Sequence, residues 1–148
     1  MASPLPRSRD ADRSRSAILD AAESLFAQQG YRPTSLADVG ERAGVSRGTP
    51  GYFFGSKEQL YRAVLDRCFA DALDVVRTGR VRAERSDGTR EEILAGAVSD
   101  YVDYAVAHPD FVRLIHREAL GEGPESEPNG SGMAVGLEAV NALAEELG

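Results

Sequence analysis

Between Arg42 and Glu58 the chain carries no acidic residue, yet it holds Arg47, Gly48, Thr49, Tyr52 and Lys57 within that span. These residue types bind rather than cut. An arginine fork suits a guanine edge or a phosphate. A glycine lets a phosphate or base edge come close to backbone N–H groups, which carry partial positive charge at a helix start. Lys57, directly after the helix-capping Ser56, falls where anions bind. The chemistry on offer is non-covalent recognition of a polyanion.

Catalytic alternatives fail on spacing. His116 and Glu118 stand two residues apart, so a helix puts them on different faces. The glycine run Gly130-Ser131-Gly132-Met133-Ala134-Val135-Gly136 follows no strand, and its third glycine is misplaced for a dinucleotide loop. One cysteine and two histidines cannot supply the four ligands of an all-His/Cys zinc site. Cys68 reads as packing. No catalytic residue, metal or cofactor is expected.

The binding residues need a rigid corner, and the flanking sequence provides one. Thr34 is expected to cap a helix, with Leu36, Val39, Gly40 and Ala43 on one apolar face. Gly44 stands where a left-handed C-terminal residue is wanted, Val45 drops towards the core, and Ser46 is expected to cap a second helix. That second helix is brief, because Gly55 breaks it and Ser56 caps the next. Two short helices meeting at a tight turn form a helix-turn-helix, whose second helix can enter a DNA major groove N-terminus first.

This stretch resembles the DNA-binding domain of TetR/AcrR-type transcriptional regulators. The matching elements are Thr34, Ala43-Gly44-Val45-Ser46, Gly48-Thr49, Tyr52-Phe53-Phe54 and Ser56-Lys57. The resemblance implies that Thr34, Arg47, Gly48, Thr49, Tyr52 and Lys57 face DNA, with Ser46 counted beside them, and that Val45 and Phe54 hold the corner. Pro50 and Gly51 depart from the family pattern, as does Phe53. A proline in a first turn costs little and a mid-helix glycine about 1 kcal/mol, so the expectation is a tightened, partly 3₁₀ recognition helix. The resemblance also implies an inducer held among the C-terminal helices and a homodimer on a double-stranded operator.

Composition fits a soluble helical protein: 42% hydrophobic and 28% charged residues, with no apolar run of membrane-spanning length and no signal peptide. The cytoplasm is the default. A net charge of −7 looks wrong for a nucleic-acid binder until it is divided: residues 1–62 balance at +2 and residues 63–148 at −9. Only the first part can approach phosphates, and such binding weakens as salt rises.

In chain order, residues 1–13 read as a disordered basic arm, whose Arg7, Arg9 and Arg13, with Arg15 just beyond, could reach the DNA backbone or else only solubilise the chain. Ser14 to Gln29 forms an amphipathic helix ended by Gly30. After Ser56 a long helix runs to about Arg77, and residues 78–89 read as a loop. A helix starting near Glu91 and Glu92 breaks at His108-Pro109, and a short one follows until Gly121. Residues 121–132 read as a mobile loop and Met133 to Leu147 as a last helix. Phe69, Tyr101, Tyr104, Phe111, Ile115 and His116 are the candidate ligand-pocket residues, although a helical stripe is more often plain core.

The expected fold is all-α: a helix-turn-helix domain over residues 14–55, then a helical regulatory and dimerisation domain over 56–148 that looks shortened. The expected function is sequence-specific transcriptional regulation, with repression relieved by a small ligand. A helical adaptor that binds protein instead of DNA is the alternative. Arg47 and Lys57 on the recognition face argue against it.

Overall fold

A computed structural model describes residues 6–124, and those residues form helices without strands. The order is α1 (Pro6–Gln29), α2 (Leu36–Ala43), α3 (Thr49–Phe54), α4 (Lys57–Glu84), α5 (Arg90–Ala107) and α6 (Pro109–Ala119). The expected loop and helix beyond residue 124 lie outside the described residues.

Local chemistry explains the element ends. Ser56 caps α4 by accepting from the Gln59 N–H, while the Gln59 side chain reaches back to the Ser56 N–H, so two orphan donors are satisfied at once. Thr89 and Glu92 do the same for α5, and Ser35 and Asp38 for α2. Gly30 and Gly121 take positive φ after α1 and α6, a conformation that other residues pay to adopt.

Three expectations are corrected. Residues 6–13 belong to α1 and are not an unstructured arm. Pro6 suits a first helical position, and no glycine or second proline interrupts the run to Gln29. Helix α4 continues past Arg77 to Glu84. Gly79 looks like a breaker in sequence, but it sits where α5 crosses: a Cβ there would lie 3.8 Å from the Ala97 Cα. The ion pair of Arg80 with Glu84 at 2.8 Å supports the added turn. Thr34, finally, is not the cap of α2, since Ser35 holds that position.

One core runs through the described helices. Ile18, Ala22 and Phe26 of α1 pack with Val39 of α2, Leu60, Tyr61 and Val64 of α4, and Phe111 and Leu114 of α6. Phe26, Tyr31 and Tyr61 interlock, with ring centroids 5.0 to 5.9 Å apart. The α6 residues therefore share their core with the helices that carry the corner. On α5, by contrast, Leu94, Val98, Val102 and Val106 are exposed.

Candidate nucleic-acid interface

The corner is built on a Schellman motif. Gly44 adopts φ 72°, its N–H donates to the Glu41 carbonyl, and the Val45 N–H donates to the Gly40 carbonyl at 3.0 Å. The chain then crosses back over α2 at Gly40. A Cβ at Gly40 would stand 2.8 Å from the Ser46 carbonyl oxygen, 3.1 Å from the Arg47 Cα and 3.3 Å from the Pro50 Cδ. Only a glycine allows that approach. Pro50 is buried at the crossing, which gives the departure from the family pattern a packing reason.

What the corner presents is small and polar. Helix α3 begins at Thr49 with Gly48 as its N-cap, two residues later than the expected cap at Ser46. The Ser46 hydroxyl lies 2.5 Å from that of Thr49, and the Thr49 N–H closes a turn onto the Ser46 carbonyl at 3.0 Å. This i to i+3 bond lies in the turn before α3, whereas α3 itself has α-helical bonds, Tyr52 to Gly48 and Gly55 to Gly51, so the partly 3₁₀ recognition helix expected from Pro50 and Gly51 is not what forms. Ser46, Arg47 and Gly48 are exposed and Thr49 is half-buried. Tyr52 is 86% exposed, with its ring edge-on to the half-buried Phe53. The Arg47 side chain is 75% exposed and stands 3.9 Å from Glu41, too loose a pair to withhold it from another anion.

Thr34 and Lys57 behave otherwise. Thr34 is 1% exposed; its hydroxyl donates to the Gly30 carbonyl at 2.8 Å and accepts from the Gln29 amide. A side chain so enclosed offers nothing to DNA. The Lys57 ammonium donates to the Tyr31 carbonyl at 3.0 Å and sits 4.2 Å above the Tyr31 ring. It clasps the α1–α2 turn instead of standing free at the head of α4.

Sequence reasoning missed two supports. Ser35 and Asp38 fix the start of α2, and Ser35 holds the exposed Asp38 carboxyl below the usual carboxylate range through its hydroxyl and N–H. The Arg15 guanidinium stacks 4.6 Å from the Phe54 ring centre and ties α1 to the end of α3. In the sequence Arg15 offers only its charge.

The six candidate ligand residues lie on α4, α5 and α6. Phe69, Tyr104, Phe111 and Ile115 belong to the main core or pack against it, and Tyr104 stacks on His108 at 4.1 Å. Tyr101 is 37% exposed on α5. His116 lines an open groove with Ala27, Gln28, Arg113 and Arg117 between α1 and α6. Beside that groove, Arg117 donates from Nε to the Ala27 carbonyl at 2.9 Å and from Nη2 to the Gln28 carbonyl at 3.2 Å. Its neighbour Glu118 accepts a hydrogen bond from the buried Tyr61. No grouping of three or more His, Cys, Asp or Glu able to hold a metal occurs among the described residues, and no helix there is long and apolar enough to cross a membrane.

Comparison with known proteins places this geometry. The family described as bacterial regulatory proteins, tetR family, matches residues 18–64, which hold the whole corner. The HTH-type transcriptional repressor NicS of Pseudomonas putida is 31% identical over 137 residues, covering 93% of this chain and 63% of that protein. The HTH-type transcriptional regulator RutR of Escherichia coli is 48% identical over 118 residues, covering 80% of this chain and 53% of its own length. The chain thus spans between about half and two thirds of these relatives. A TetR family transcription regulator from Marinobacter aquaeolei superposes with a TM-score of 0.69 at 23% identity, covering 94% of this chain and 70% of that one. At that identity the likeness speaks for the fold alone. The corner, the all-helical layout and these relatives agree in likening the chain to the tetR family of bacterial regulatory proteins, whose model its residues 18–64 match.

Proposed function

We propose that the protein is a sequence-specific, DNA-binding transcriptional regulator, a repressor that leaves its double-stranded operator when a small ligand binds. The observation that carries this reading is the exposed head of α3. Ser46, Arg47 and Gly48 stand on a turn locked by Gly40, and Tyr52 projects beside them. Such a head fits a major groove: Arg47 reaches a guanine or phosphate, while Gly48 admits a phosphate to the backbone N–H groups. The name of NicS, a repressor, favours repression as the sign.

In this reading residues up to about 55 bind DNA and the helices from 56 onward regulate. The protein acts in the cytoplasm as a homodimer, whose two α3 helices must meet successive major grooves one DNA turn apart, roughly 34 Å. The ligand enters among α4, α5 and α6, near Phe69, Tyr104, Phe111 and Ile115, with Tyr101 and His116 at the margins. A ligand there displaces α6, and the bonds from Arg117 to the end of α1 carry the displacement to the corner.

The test is selection from a random duplex library followed by titration of the recovered site in rising salt. The expected result is an enriched palindrome, bound with a steep negative salt slope. No enrichment, with indifference to DNA even at low salt, would sink the proposal.

A further inference from the structure

From Ser8 to Ala17 the side chains of α1 are exposed or half-buried. Helix α1 begins at Pro6, and the first fully buried side chain among the described residues is Ile18, about 18 Å further along the helix at roughly 1.5 Å per residue. Arg9, Asp10, Asp12, Arg13 and Arg15 in this stretch are all exposed. Arg9 and Arg13 are four residues apart and share a face. Arg15 anchors the stretch beside α3 through the Phe54 ring, 4.6 Å away. The basic extension is therefore continuous with the recognition helix, in a chain whose residues 63–148 balance at −9.

We infer that this helical extension is a second DNA-contact surface, with Arg9 and Arg13 held against the phosphate backbone that flanks the site read by α3. The inference rests on the proposed DNA-binding function and adds a contact outside the helix-turn-helix. A disordered arm would lose conformational entropy on binding, whereas a formed helix already holds its charges in place. Its contribution is independent of base sequence, because phosphates carry none. Asp10 and Asp12 moderate it.

The experiment uses the full chain with two duplexes: the selected operator trimmed to its palindrome, and the same operator with ten flanking base pairs on each side. The double substitution Arg9→Ala/Arg13→Ala should lower the slope of log affinity against log salt on the long duplex by about 1.8 per protomer, from about 0.9 per lost phosphate contact. Binding to the trimmed duplex and the melting temperature should not change. Asp10→Asn/Asp12→Asn should tighten binding to the long duplex only. If the arginine variant matches the wild type in affinity and slope on the long duplex, the extension is not a contact surface. If the wild type binds neither duplex, the DNA-binding reading itself falls, and this inference goes with it.

Discussion

The Nε of Arg117, near the end of α6, donates to the carbonyl oxygen of Ala27, near the end of α1, at 2.9 Å. Its Nη2 reaches the Gln28 carbonyl at 3.2 Å, and Nη1 pairs with Glu122 at 2.5 Å. The last carbonyls of a helix have no intrahelical partner and carry partial negative charge, so a guanidinium is a fitting cap. Here the cap comes from another helix. Arg117→Ala should lower stability by about 1.5 kcal/mol, since the two carbonyls are left to water or to nothing. Urea denaturation measures this, and Arg117→Lys should recover only part of it, because a single ammonium cannot span both carbonyls. An alanine variant as stable as the wild type would leave the α1–α6 junction to apolar packing alone.

Gly40 is the position where the corner has no slack. A methyl group there would press on the Ser46 carbonyl and the Arg47 Cα, both backbone atoms. The neighbours must move, and what moves is the head of α3. Gly40→Ala should cost about 1 to 3 kcal/mol in stability from overpacking. The variant should also lose at least tenfold in operator affinity while its far-ultraviolet circular dichroism stays helical. Retained affinity would mean that the corner tolerates a wider crossing than its geometry suggests.

The contrast between Ser56 and Thr34 explains what could be read from the sequence. Ser56 is recognisable as a cap because its reciprocal partner, Gln59, is three residues away and nothing distant competes. At Thr34-Ser35 two adjacent hydroxyls compete for one cap, and the winner is set by tertiary contacts: Gly30 and Gln29 draw Thr34 inside. Gly79 misleads for a similar reason, since its use is a close crossing by α5. The Arg117 to Ala27 bond joins residues at opposite ends of the described chain, and no local pattern announces it. Local chemistry located the recognition corner; which of its polar groups stay free depends on the packing around them.

Arg47 and Lys57, equivalent as charges in the sequence, should separate in experiment. Arg47 is 75% exposed in its side chain and touches little, so Arg47→Ala should leave the melting temperature unchanged. Operator affinity should fall by about 1 to 3 kcal/mol if Arg47 reads a base. Lys57→Ala removes the bonds to the Tyr31 and Arg32 carbonyls and the contact with the Tyr31 ring. Its first effect should be on stability, a loss of about 1 to 2 kcal/mol. Thermal melts and anisotropy titrations on both variants check the split, and a Lys57 variant of native stability but weakened binding would return that lysine to the DNA face.

Alkaline pH should weaken the fold from within. Burial, with Glu23 nearby, pushes the Cys68 thiol up to about 12. Burial raises the Tyr104 phenol to about 12 as well, with Asp71 adding to it. Tyr61 is raised further, first by burial and then because its hydroxyl donates to Glu118. In each case the folded chain keeps a proton that the unfolded chain releases near its ordinary value, about 8.5 for cysteine and 10 for tyrosine. Stability is therefore fully present below about pH 8.5 and declines as pH rises through the tyrosine range, because the unfolded state binds fewer protons there. Urea midpoints measured from pH 7 to 11 should stay level and then fall, and Cys68→Val should remove the part of the fall that begins first. Native Cys68 should also react with a disulfide reagent at pH 8 only as fast as the protein opens, since the nucleophile is the thiolate. Reaction at the rate of a free thiol would show that the α4 packing around Cys68 is far looser than its 2% exposure implies.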